Sequence, residues 1–189
     1  MLRFSLIYTA VAAIAIAVAA APAPAGNAAL EALRDGTMKK LVFHSSPKPA
    51  GNAGYVTQDG TTASLTDHHG RYVLLNFWAT WCAPCRKEMP GLDAIQAEFG
   101  GAKFEVLTIA TGRNPPGAMK KFFDETGVTN LPLHRDPKQK LARQMGVLGL
   151  PVSVLLDPEG REIARMVGDA EWGGESGRAI IRALIADPD

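Results

Sequence analysis

The chain has 189 residues, with 20 Lys and Arg against 19 Asp and Glu, four His, a net charge of +1 and 47% hydrophobic residues. Charge this evenly balanced, with no basic patch, argues against a nucleic-acid partner. Roughly 150 residues beyond the N-terminal segment are enough to bury a core without structural disulfides, and the absence of internal repeats or low-complexity tracts points to one domain.

The chain opens with Met1-Leu-Arg3 and an uncharged apolar run over residues 4–21. The run lies at the lower limit of what spans a bilayer. Ala-x-Ala patterns ending at Ala21, Ala23 and Ala25 have the form of a signal-peptidase site. Residues 1–25 therefore read as a cleaved signal peptide or a retained N-terminal anchor, and either one exports the rest of the chain. No Cys follows the apolar run, which speaks against a lipid anchor. Residues 26–50 read as a connecting region: Ala28 to Leu33 suit a short helix, and Ser45-Ser-Pro-Lys-Pro-Ala50 breaks structure. The domain is expected over 51–189.

Within it, periodicity predicts strands around 55–57 and at 72–79, a helix at 84–99, a strand at 103–110, a helix at 116–126 and a short strand at 131–134. A helix at 137–145, strands at 152–156 and 161–167 and a helix at 175–186 complete the order. This alternation predicts an α/β fold, a mixed central sheet flanked by helices. His68-His69 fall beside Gly70 in a turn, where adjacent side chains point apart and suit a metal poorly. His134 reads as structural and Lys39-Lys40 as solvated surface. Trp78 and Trp172 read as packing residues.

Chemistry concentrates in Trp81-Cys82-Ala83-Pro84-Cys85, which holds the only two cysteines of the chain. Two sulfurs cannot furnish a closed structural zinc site alone. A bridge across two residues closes too small a loop to stabilise the fold much through chain entropy. Between a strand and a helix, the pair reads as a thiol–disulfide exchange site. A thiolate is the attacking species, and the N–H groups and dipole at a helix N-terminus stabilise it. Cys82 is expected there as the exposed nucleophile, and Cys85, one turn further in, as the resolving thiol. Trp81 is expected to line the surface that partners touch.

On the following helix Met89, Leu92, Ile95 and Phe99 share an apolar face, and Glu88 falls on that face between Leu92 and Ile95. A carboxylate aimed at the core is costly and its pKa should rise. Proton exchange with the cysteine pair through water is one role; a helix-edge Glu that reaches solvent or pairs with Lys or Arg is the other reading. Pro90 should kink this helix.

Asn76-Phe-Trp-Ala-Thr-Trp-Cys-Ala-Pro-Cys-Arg-Lys-Glu-Met-Pro90 resembles the TlpA/ResA-like branch of periplasmic thiol–disulfide oxidoreductases in the thioredoxin superfamily. Gly149-Leu150-Pro151-Val152 resembles that family's cis-proline loop, Asp157-Pro158-Glu159-Gly160 its turn between the last two strands, and Gly168-Asp-Ala-Glu-Trp172 the entry to its final helix. Asn76 stands where thioredoxin has a buried acid, and Glu88 where the branch has its active-site acid. The Thr-x-x-Cys motif of peroxiredoxins is absent. Copper chaperones of the Sco type space their cysteines one residue wider.

The resemblance implies a thioredoxin-like fold with a TlpA-type central insertion at 111–135. It implies a cis peptide before Pro151, which unaided sequence would read as a trans-Pro opening an edge strand. Leu150 and Pro151, with Ala83 and Pro84 beside the sulfurs, would then dock an extended partner segment. It further implies a periplasmic monomer, with no cofactor and no metal, that reduces exported cysteine-containing proteins. Those partners would be a copper chaperone, an oxidase subunit or an apocytochrome c, and electrons would come from a membrane thiol transporter. A disulfide-forming oxidant and a thiol-based metal-delivery module remain as alternatives.

Overall fold

A computed structural model describes residues 25–186; the expected signal or anchor at 1–25 lies outside the described residues but for Ala25. Among the described residues no helix is long and apolar enough to cross a membrane. Eight strands form one sheet: β1 (Val42–Lys48), β2 (Tyr55–Val56), β3 (Thr62–Ala63), β4 (Tyr72–Trp78), β5 (Phe104–Thr111), β6 (His134–Asp136), β7 (Val152–Leu156) and β8 (Glu162–Val167). Their order is β1-β8-β7-β4-β5-β6-β2-β3, with β4–β5 and β5–β6 parallel and the other pairs antiparallel. The helices are α1 (Ala25–Ala32), α2 (Ala83–Phe99), α3 (Pro116–Thr126), α4 (Lys140–Gln144) and α5 (Glu175–Ala186).

β4 occupies the centre because nearly all of it is apolar. Its alternation sends Leu74 and Trp78 to one face, and Val73, Leu75 and Phe77 to the other. The first face packs under α2, α3 and α5, with Met89, Leu92, Phe122, Ile180 and Trp172 buried there. The second is covered by Leu141, Ala142 and Met145 around α4 and by Leu65.

Residues 26–50 are not the connecting region expected from the sequence. α1 and a 3-10 turn (Gly36–Lys40) lead into β1, which pairs with β8 through Val42–Arg165 and Phe43–Ala164. Leu30, Met38, Leu41 and Phe43 are buried in the core. The Pro residues suggested broken structure, but an edge strand tolerates Pro47, and the pairing register shifts between Phe43 and Lys48. The β7–β8 turn needs Gly160 at φ +76°, since a Cβ there would strike the His69 ring at 2.4 Å. α2 runs unbroken through Pro90.

Candidate active site

β4 ends at Trp78, and the chain turns through Thr80 before entering α2. Asn114, buried after the end of β5, accepts from the Thr80 N–H at 2.8 Å and hydroxyl at 3.0 Å, and donates to the Thr111 carbonyl at 2.9 Å. That pins the turn to the neighbouring strand. Cys82 is then the N-cap of α2, and its sulfur accepts from the Cys85 N–H at 3.3 Å. The two cysteines are joined as a disulfide with Cα atoms 5.3 Å apart. Ala83 and Pro84 are exposed in the first turn.

Cys82 is 6% exposed and Cys85 0%. The expected order of access is kept, but Cys82 is not the open nucleophile the sequence suggested. Bonded to Cys85 and turned onto its N–H, the sulfur is tucked against the core. Trp81 beside it is 65% exposed, whereas Trp78 is buried against Phe122 and Phe123.

One turn past Cys85, Glu88 is 4% exposed. Asn76 Nδ2 donates to its Oε1 at 2.8 Å, and the Ala170 N–H donates to its Oε2 at 3.1 Å. Asn76 Nδ2 also donates to Ser153 Oγ at 3.0 Å, and Trp172 Nε1 reaches the same oxygen at 3.2 Å. Burial pushes the Glu88 carboxyl up to about 7, against the pull of these two neutral donors; Asp169 raises it further and Lys40 opposes. Its side chain reaches a cleft of about 440 Å³ shared with Thr37, Lys87, Gly91, Asp169 and Gly173. The backbones meet closely here, since a Cβ on Gly91 would lie 3.1 Å from the Gly173 nitrogen. Ser153 and Trp172 escaped the sequence reading as polar partners. The available signal was a lone hydroxyl at an inward position of the apolar run Val152-Ser-Val-Leu-Leu156.

The Leu150–Pro151 peptide is cis. Because Phe77 pairs with Val152 across antiparallel strands, this loop and the Ala79–Cys82 turn share one end of the sheet. Pro151 is buried, Leu150 bridges the two core clusters, and Leu148, which the sequence did not single out, is fully exposed. His68 sits between Tyr55 and Glu105, and His134 accepts from the Gln58 N–H. Among the described residues no three His, Cys, Asp or Glu side chains are grouped to hold a metal.

The AhpC/TSA family matches residues 47–164. The thiol–disulfide oxidoreductase ResA of Bacillus anthracis is 32% identical over 122 residues, covering 65% of this chain and 69% of that protein. ResA of Bacillus subtilis is 32% identical over 132 residues, covering 69% and 70%. Among solved structures, a Chlorobium tepidum protein named as a thiol:disulfide interchange protein, DsbE, superposes with TM-score 0.64 at 29% identity, covering 74% of this chain and 96% of its own. The exposed lipoprotein thioredoxin Etrx1 of Streptococcus pneumoniae gives 0.58 at 28%, covering 72% and 98%. The mixed sheet with helices on both faces is thus the thioredoxin-like fold. With a disulfide-linked Cys82–Cys85 pair capping α2, the chain belongs to the AhpC/TSA family as a thiol–disulfide oxidoreductase of the ResA/DsbE type.

Proposed function

We propose that this oxidoreductase is exported and reduces disulfides of exported proteins, using Cys82 to attack, Cys85 to resolve and Glu88 to move the proton. The Cys82 thiolate, stabilised at the α2 N-terminus, attacks one sulfur of the partner's disulfide, and the other sulfur leaves as a thiolate and takes a proton. Glu88 takes the Cys85 proton through water; the Cys85 thiolate then attacks Cys82 Sγ. The mixed disulfide breaks, the partner leaves as a dithiol, and two electrons have left the Cys82–Cys85 pair. The observation that carries this reading is Glu88 itself: a buried carboxyl one helical turn behind the inner sulfur, titrating near neutral pH and so able to take and return a proton.

Trp81, Ala83, Pro84, Leu150 and Pro151 form the face that meets the partner, an extended segment lying along the Leu150 backbone. The apolar run at 4–21 supports export. Cytochrome oxidase copper-centre assembly or cytochrome c maturation supplies the partners, and a membrane thiol transporter the electrons; this choice rests on the resemblance to the TlpA/ResA-like branch, while the ResA and DsbE relatives support thiol–disulfide exchange itself.

Titration of the pair against a thiol–disulfide buffer tests the direction. A reduction potential near or below about −220 mV makes the chain a donor, whereas one near −120 mV reverses the electron flow. Cys85→Ser, mixed with a disulfide-bearing partner, should accumulate a covalent adduct that Cys82→Ser does not form. Adducts through Cys85 alone would exchange the two roles.

A further inference from the structure

The N-terminal segment and the β8–α5 connection are stitched together beside Glu88. The Glu171 N–H donates to Thr37 Oγ1 at 2.9 Å, the Asp35 N–H to Ser176 Oγ at 3.0 Å, and Ser176 Oγ to the Leu33 carbonyl at 2.7 Å. Lys40, the last residue of the 3-10 turn, donates from Nζ to the Asp169 carbonyl and lies 3.8 Å from Asp169 Oδ1. Asp169 immediately precedes Ala170, whose N–H holds Glu88 Oε2. Lys40 is thus more than the solvated surface charge its sequence position suggested. It ties down the residue next to the one that binds the buried carboxyl.

We propose that Lys40 and Asp169 are positioning residues of the exchange site, acting in opposite senses on how tightly Glu88 holds its proton. The inference rests on Glu88 being the proton carrier for its importance to catalysis, but the control of Glu88 itself does not depend on that. Asp169 brings a negative charge to the mouth of the Glu88 cleft, disfavouring a second one on Glu88. Lys40 offsets it and fixes the loop that delivers the Ala170 N–H. Besides Asp169, the charged side chains lining that cleft among the described residues are Lys87, from Glu88's own helix, and Glu171, beside Ala170; Lys40 stands behind Asp169. β4 and β7 present only the neutral Asn76 and Ser153. Burial already places Glu88 near 7, within reach of such modest charge effects.

The test is the carboxyl titration of Glu88 in the oxidised full-length chain, followed by NMR of carboxyl-labelled glutamate with Glu88→Gln to assign the resonance. The cysteines are bonded in this form and add no titration of their own. Lys40→Met should raise the Glu88 midpoint and Asp169→Asn should lower it, each by about 0.3–1 pH unit for charges this close to solvent. Lys40→Arg, which keeps the charge, should restore the wild-type midpoint. A purely structural clamp, which runs to the Asp169 carbonyl and survives Asp169→Asn, would move the midpoint in Lys40→Met alone; that result, movement the same way in both variants, or no movement in either, overturns the proposal. If Asp169→Asn fails to fold, the Lys40→Met shift read at low and high ionic strength decides, since added salt shrinks a charge effect and leaves a clamp effect in place. The pH profile of disulfide exchange is read alongside. Midpoints that shift without moving the profile would leave the Lys40–Asp169 control standing and remove Glu88 from the proton path.

Discussion

Glu88 and Glu162 are both 4% exposed, yet their carboxyls are pushed in opposite directions. Glu162, at the start of β8, receives Arg165 on both oxygens, at 2.8 and 2.6 Å, and His44 Nε2 lies 2.7 Å from Oε1. Burial pushes it up, but these hydrogen bonds and charges outweigh the penalty and hold it below the ordinary carboxylate range. Glu88 has an amide and a backbone N–H, both neutral, and rises to about 7. Low exposure alone therefore does not fix proton affinity: Glu88 is the more deeply enclosed of the two and has neutral donors, whereas Glu162 has charged ones. Glu162 is a fixed anion that ties β8 to β1, and Glu88 is a carboxyl left free to change state beside the disulfide.

Removing Glu88 gives the broadest test. Its raised pKa means that the folded state keeps the proton that the unfolded chain gives up near 4.5. Below pH 4.5 both states are protonated; from 4.5 to 7 stability falls as pH rises; above 7 the loss is complete. The 2.5-unit span corresponds to about 3 kcal/mol. Glu88→Gln should abolish that slope, so that its stability relative to wild type climbs by about this amount between pH 4 and 8.5 in urea titrations. Parallel curves for the two proteins would mean that Glu88 is already ionised in the native state. Exchange should slow in the variant across pH 6–9, and an unchanged rate would remove it from proton transfer.

Arg165→Met attacks the other carboxylate. Glu162 contributes stability that is present above pH 4.5 and lost as pH falls through its lowered native value. Without Arg165 it stays buried with His44 alone. The cost at neutral pH should be about 2–3 kcal/mol, less than for a fully enclosed pair because Arg165 retains some access to water. The deficit should shrink below pH 4, opposite to the window that exposes Glu88, and disulfide exchange should be unaffected. A variant as stable as wild type at pH 7 would show that the ion pair merely offsets its own desolvation.

The sequence disclosed one member of this comparison and concealed the other. Glu88 stood out because 3.6-residue periodicity places it on an apolar helix face. Glu162 follows a turn in a strand whose pairing partner, β1, was not foreseen, so neither its burial nor its neighbour His44 was legible. Elements with strong local signals kept their expected bounds: α3 begins at Pro116 and stops before Gly127 in the left-handed conformation, and β7 and α5 matched. Pairing and capping set the rest. β6 lies at His134–Asp136 rather than 131–134 because it takes its register from Ile109–Thr111 of β5. α4 shortens to Lys140–Gln144 because the Asp136 carboxylate collects the N–H groups of Lys140 and Ala142, both at 2.9 Å. Asn114, which anchors the turn into α2, lies in an Arg113-Asn-Pro-Pro116 stretch with nothing local to mark it.

The smallest effect separates direct charge control from control through the neutral relay. Ser153 Oγ is the shared acceptor of Asn76 Nδ2 and Trp172 Nε1, and Asn76 Oδ1 has no partner among the described residues. Ser153→Ala leaves two buried N–H hydrogens without an acceptor, which should cost about 1–2 kcal/mol of stability at any pH. Asn76 keeps its bond to Glu88, and no charge is added or removed, so the Glu88 midpoint should stay where it is. A loss of stability with a fixed midpoint would place Ser153 in the scaffold and leave proton affinity to burial and nearby charge. A midpoint that moves with Ser153→Ala would mean that the orientation of the Asn76 amide governs Glu88. The contrast with Glu162 would then rest on how firmly a neutral donor is held as well as on the absence of a cation.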